Sequence, residues 1–100
     1  MRIIDKEILK KIAETAQDFG LKELLLFGSV LREDFNDNSD IDIMVAFKEG
    51  LHISYFDLCA LSERLEGIFN RKVDLIEKNA LVNPYRRQEI LNTARRIYAD

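Results

Sequence analysis

The chain is expected to fold as an α/β (α+β) domain in which a small sheet of about three or more strands is covered by helices. Three observations predict it. Apolar residues recur at helical spacing from Asp5 to Phe19, short apolar runs stand at Leu24 to Phe27 and Ile41 to Phe47, and long helical patterns alternate with them. One hundred residues with 47% hydrophobic and 33% charged side chains suffice for one core, so a single domain over residues 1–100 is expected.

The elements follow in order. Ile8, Ile12, Ala16 and Phe19 make the apolar stripe of a first helix that Gly20 stops. Leu24 to Phe27 is too brief for a helix and ends on Gly-Ser, which suits a buried strand. "VLRED" can make one or two helical turns, and "NDNS" is turn chemistry, because Asn and Asp side chains bond nearby backbone. Ile41 to Phe47 is the second strand. Phe56, Cys59, Ala60 and Leu65 fall near one stripe of a second long helix, with Ser54 as its cap and Asn70 near its end. Cys59 reads as a small buried residue, and one cysteine forms no internal disulfide. "KVDLIE" suits a buried third strand, and Pro84 can open a last helix carrying Ile90, Leu91, Ala94, Ile97 and Tyr98.

A net charge of -3 gives no general attraction to nucleic acid, so direct nucleic-acid binding is not expected. The N-terminus carries charges every few residues, which fits neither a signal peptide nor a membrane span. A cytoplasmic protein is expected.

The acids of "FGSVLREDFNDNSDIDIMVAF" carry the functional reading. Residues two apart on a strand share a face, so Asp40 and Asp42 should project together. Like charges that close repel unless a cation lies between them, and an all-oxygen site suits a hard ion such as magnesium. Solvated acids at a turn are the common outcome for an isolated Asp-x-Asp. A calcium loop starting at Asp34 fits at alternate positions but fails at Ser39, where the turn needs glycine, and at Val45, where the ion needs glutamate. Gly28-Ser29 alone could be a plain turn with Ser29 as a helix cap. Glycine after a strand also admits a close ligand, and the amides that follow face an anion. Asp74 interrupts a buried-strand pattern with one carboxylate, which either demands a partner if buried or reaches solvent at a strand edge.

Gly28-Ser29, ten intervening residues, Asp40-Ile41-Asp42 in an apolar strand, and a later strand with Asp74 together resemble the polymerase-beta-type nucleotidyltransferase superfamily, in its minimal branch. The resemblance implies a minimal nucleotidyltransferase fold with a small mixed sheet. It implies that Asp40 and Asp42 bind two magnesium ions and the triphosphate of ATP, and that Gly28 and Ser29 hold the terminal phosphates. Asp74 would share one metal and help deprotonate the attacking hydroxyl. Arg32 lies where many relatives carry Arg-Gly, and here Glu33 follows it, so either phosphate binding or a surface ion pair remains open for Arg32. Minimal members are commonly antitoxins that transfer AMP from ATP to a tyrosine of a HEPN-domain RNase toxin. A hetero-oligomer with that toxin is therefore expected, and a macromolecular acceptor fits so short a chain. The alternatives are an antitoxin that acts by tight binding alone and a small-molecule transferase, for example one modifying an aminoglycoside.

Overall fold

The structure is a computed structural model that describes residues 4–31, 36 and 38–100. Helix α1 (Lys6–Phe19) begins where the Asp5 carboxylate accepts the Ile8 amide at 2.8 Å and ends at Gly20, whose amide returns to Ala16 O and Gln17 O. Strand β1 (Leu21–Phe27) runs into a 3-10 turn over Gly28–Leu31, so helical structure after the Gly-Ser pair reaches Leu31. The rest of that expected helical segment, Arg32 to Asp34, lies outside the described residues. Strand β2 (Ile41–Phe47) has the expected bounds.

Helix α2 (Tyr55–Phe69) opens on a reciprocal cap between Ser54 and Asp57 and closes on Asn70 in the left-handed region. Its buried stripe is Leu61, Leu65 and Phe69, four residues apart. Phe56 was expected on that stripe but is 82% exposed, Ala60 is exposed too, and Cys59 is only half-buried. A four-residue spacing from Leu65 leads to Leu61 and turns Phe56 outward.

Strand β3 (Val73–Glu77) is an edge strand, and beyond Val73 its residues are half-buried or exposed. The expectation of a fully buried strand is thereby corrected. Helix α3 (Pro84–Thr93) starts with proline in its first turn, where Asn83 accepts the Tyr85 and Arg86 amides. It stops at Ala94, and the chain then forms a fourth strand, β4 (Arg95–Ala99). Ile97 and Tyr98, expected on the last helix, belong to this strand and pack beside the core under α1.

The four strands lie in the order β3-β2-β1-β4, with β2 and β3 parallel and the other pairs antiparallel. The mixed sheet arises because β1 and β2 lie antiparallel, whereas α2 serves as the crossover that a parallel pair requires. One face, with Leu24, Leu26, Ile41, Ile43, Val45 and Val73, packs on α1 and α2. The other face, with Leu25, Phe27 and Met44, is covered by Ile90 of α3. Among the described residues no helix is long and apolar enough to cross a membrane.

Candidate functional site

The alternation along β2 decides which acid faces where. Ile41, Ile43 and Val45 are fully buried under α1 and α2, and burying each contributes about 1.5–3 kcal/mol. Asp42 consequently points to the opposite face, with Met44. The neighbouring strands agree. Ile41 pairs with Val73 and Ile43 with Leu75, all on the helix-covered side, so the pair between them, Asp42 and Asp74, shares the other face. On the antiparallel side Asp42 pairs with Phe27. The two carboxylates therefore stand on adjacent strands, whose backbones are about 4.8 Å apart.

Gly28 follows Phe27 at the end of β1 with φ +72°, and its missing side chain makes room for Asp42. A Cβ added there would overlap the Asp42 Oδ2 and lie 3.1 Å from its Cγ. The glycine thus lets the β1 backbone approach the carboxylate closely. Ser29 lies inside the 3-10 turn and does not cap it; its hydroxyl donates to Asp40 O at 3.2 Å. The Gly-Ser segment and the acid segment are tied together by that bond.

Asp40 is exposed and lies one residue before β2 begins. Asp42 is half-buried. Asp74 is exposed on the edge strand, so the argument that it needs a buried partner is corrected: water reaches its carboxylate along the open edge. The structure brings Asp42, Asp74 and Gly28 together and places Asp40 beside them. Among the described residues, no three acid, histidine or cysteine side chains are gathered closely enough to form a ready-made metal centre. The donors at Asp40, Asp42 and Asp74 are nevertheless all oxygen, the set that fits a hard divalent ion, and the space left by Gly28 borders one of them. Arg32 lies outside the described residues.

Arg71 was not anticipated from the sequence. Its Nη1 donates to Asn36 O at 2.8 Å and to Ser39 O at 3.2 Å, across the approach to Asp40. An arginine between a helix end and a strand carries no periodic signature, and only the parallel pairing of β2 with β3 brings it to this loop. Farther from the acids, Glu23 of β1 accepts Lys78 Nζ at 2.6 Å and meets Arg96 at 3.5 Å. The Lys78 hydrogen bond holds the Glu23 carboxyl below its usual range; burial opposes this, and the charges of Lys78 and Arg96 reinforce it.

The family model described as Polymerase beta, Nucleotidyltransferase matches residues 10–100. A relative from Methanocaldococcus jannaschii, provisionally named a protein adenylyltransferase, is 43% identical over 86 residues, covering 85% of this chain and 86% of its own. A solved structure provisionally described as a minimal nucleotidyltransferase has 31% identity and a TM-score of 0.70, with 92% of this chain and 95% of that chain covered. A chain in the structure of tri-AMPylated Shewanella oneidensis HEPN toxin in complex with MNT antitoxin shares the fold, with a TM-score of 0.67 at 19% identity. That match covers 97% of this chain and 74% of the other. The match across α1 to β4, and the paired acids beside a glycine-ended strand, lead to one conclusion: this chain belongs to the polymerase beta nucleotidyltransferase family.

Proposed function

We propose that this chain is a metal-dependent protein adenylyltransferase that transfers AMP from ATP to a tyrosine of a HEPN-type RNase toxin and so neutralises it. The observation that carries the reading is the register that sets Asp42 against Asp74 with Gly28 beside them. The adenylyltransferase name of the 43%-identical relative supports the reaction, and the HEPN–MNT complex of like fold supports the kind of acceptor and a hetero-oligomer with it.

In this reading Asp40, Asp42 and Asp74 would hold two magnesium ions, which when bound would supply charge neutralisation on the phosphates and a lower pKa for the incoming hydroxyl. Gly28 lets the β1 backbone approach the triphosphate, and the amides at Gly28 and Ser29 face its terminal phosphates. Asp74, open to solvent on the edge strand, helps take the proton of the tyrosine hydroxyl. The tyrosine oxygen then bonds to the α-phosphorus as the bond to the pyrophosphate oxygen breaks. Asp42, held on the sheet face opposite the buried isoleucines, keeps its orientation through that exchange.

Incubation of the purified chain with ATP, magnesium and a purified HEPN toxin encoded beside it tests the proposal by intact-mass measurement. The toxin should gain AMP masses, and Asp42→Ala should abolish the gain. A folded, associated pair that shows no gain overturns the reading. Cells protected equally by an Asp40→Ala, Asp42→Ala double variant would show that binding alone suffices.

A further inference from the structure

The segment that leads into β2 is closed on itself before the strand begins. Asn38 N donates to the Asn36 side chain at 2.8 Å, Ser39 N to Asn36 O at 3.0 Å, and Asn36 N to the Ser39 hydroxyl at 3.2 Å. Short polar side chains make such local bonds readily. Asn36 and Ser39, so joined, are then gripped from the connection between α2 and β3, because Arg71 donates to both carbonyls, Asn36 O and Ser39 O. Two further bonds bracket the next residues: Ser29 Oγ to Asp40 O at 3.2 Å, and Ile41 N to Lys72 O at 3.0 Å. Asp40 is exposed, yet its carbonyl is held from the 3-10 turn after β1, and the residue that follows it is held by Lys72, just before β3.

Arg71 is itself held in place. Left-handed Asn70 turns the chain out of α2, and the Glu66 carboxylate accepts Val73 N at 3.0 Å, so the residues around Arg71 are clamped between helix and strand. Asp74 lies three residues further along. One arginine therefore connects the approach to one acid with the strand that carries another.

We infer that Arg71 is a positioning residue: by holding the Asn36–Ser39 turn against the start of β3 it sets Asp40 relative to Asp42 and Asp74. Its catalytic consequence rests on the adenylyl-transfer reading above; its structural consequence does not. An arginine suits the task because the planar, permanently charged guanidinium fixes the directions in which its Nη1 donates to the two carbonyls, whereas a lysine ammonium rotates freely as a flexible point charge. Partners that orient metal-binding side chains typically matter about 10- to 100-fold in metal affinity or activity.

The test compares Arg71→Ala and Arg71→Lys with Arg64→Ala, whose guanidinium pairs with Asp18 at 2.6 Å on the helical side of the sheet. In hydrogen exchange, the amides of residues 39–41 should exchange faster in Arg71→Ala, less so in Arg71→Lys, with the helices unchanged. Manganese titration followed by electron paramagnetic resonance, in the presence of a non-hydrolysable ATP analogue, should show affinity weakened about 10- to 100-fold in Arg71→Ala and partly restored in Arg71→Lys. AMP transfer should lose kcat in the same range while KM for the acceptor protein stays constant, and Arg64→Ala should match the wild type. Unchanged exchange at residues 39–41 overturns the inference. So does faster exchange there with unchanged manganese affinity and kcat, or loss of protection throughout the fold in both Arg71 variants. A wild-type chain that binds no manganese–nucleotide and transfers no AMP removes the functional reading instead, and the exchange measurement still decides whether Arg71 fixes the turn.

Discussion

Replacing Gly28 with alanine should separate backbone strain from damage to the acid pair. At φ +72° a side chain costs about 1–2 kcal/mol in the left-handed region, before any contact is considered. The new Cβ would also overlap Asp42 Oδ2 and press within 3.1 Å of its Cγ and 3.4 Å of its Cβ, so the carboxylate must move. A shift of that kind at a reacting centre costs on the order of 100-fold in rate. Gly50 supplies the control: its φ is +84°, and a Cβ there meets nothing within 4 Å. Gly50→Ala should therefore lose about the same 1–2 kcal/mol while AMP transfer stays at the wild-type rate. Urea denaturation measures the first quantity and intact-mass kinetics on the HEPN acceptor the second. For a domain of this size each kcal/mol corresponds to roughly 4–8 °C in Tm, so thermal melts give an independent check. If Gly28→Ala loses stability as Gly50→Ala does but keeps the wild-type transfer rate, the space beside Asp42 has no catalytic meaning and the reasoning fails.

Three further outcomes are expected. Glu23 is held below its usual carboxyl range by Lys78, so its contribution to stability is fully present above the unfolded value of about pH 4.3 and is lost as pH falls through the lower folded value. Melting temperature should accordingly fall more steeply in that acid range for the wild type than for Glu23→Gln, and equal slopes would contradict the assignment. Ser54→Ala removes the hydroxyl that accepts Asp57 N at 3.2 Å and should cost about 1 kcal/mol in urea denaturation, with activity retained. Asn70→Ala places an ordinary side chain at φ 55° and should cost about 1 kcal/mol, which chevron or equilibrium unfolding can resolve.

What the sequence displayed and what it hid have physical reasons. α1, β2 and the caps at Ser54, Asn70 and Pro84 were legible because each depends on local spacing or backbone chemistry. β4 was not, because Ile97 and Tyr98 continue the helical spacing of Ile90, Leu91 and Ala94, and neither glycine nor proline marks the break. The open edge of β1 draws Arg95–Ala99 into a ladder, and tertiary pairing overrides the periodic pattern. The placement of Phe56 failed for a related reason, since a near-continuous apolar segment offers two stripes and only the sheet selects Leu61, Leu65 and Phe69. Asp42 and Gly28 could be read from residue type and spacing. For Asp74 the sequence left a buried acid and an edge-strand acid both open, because nothing local shows where its strand lies in the sheet. Arg71 was hidden more deeply, as its two carbonyl acceptors lie 35 and 32 residues away.

The parallel pairing of β2 with β3 has a consequence for how accurately the site is reproduced from one folded molecule to the next. Were β3 to slide by one residue, Asp74 or Lys72 would come opposite Ile41 and a charged side chain would enter the layer beneath α1 and α2. The buried Val73, packed in the same cluster as Phe69 and Leu65, acts as a gauge that admits one alignment. The spacing of the two acids is thus enforced by hydrocarbon on the reverse side of the sheet, away from the face that the carboxylates occupy.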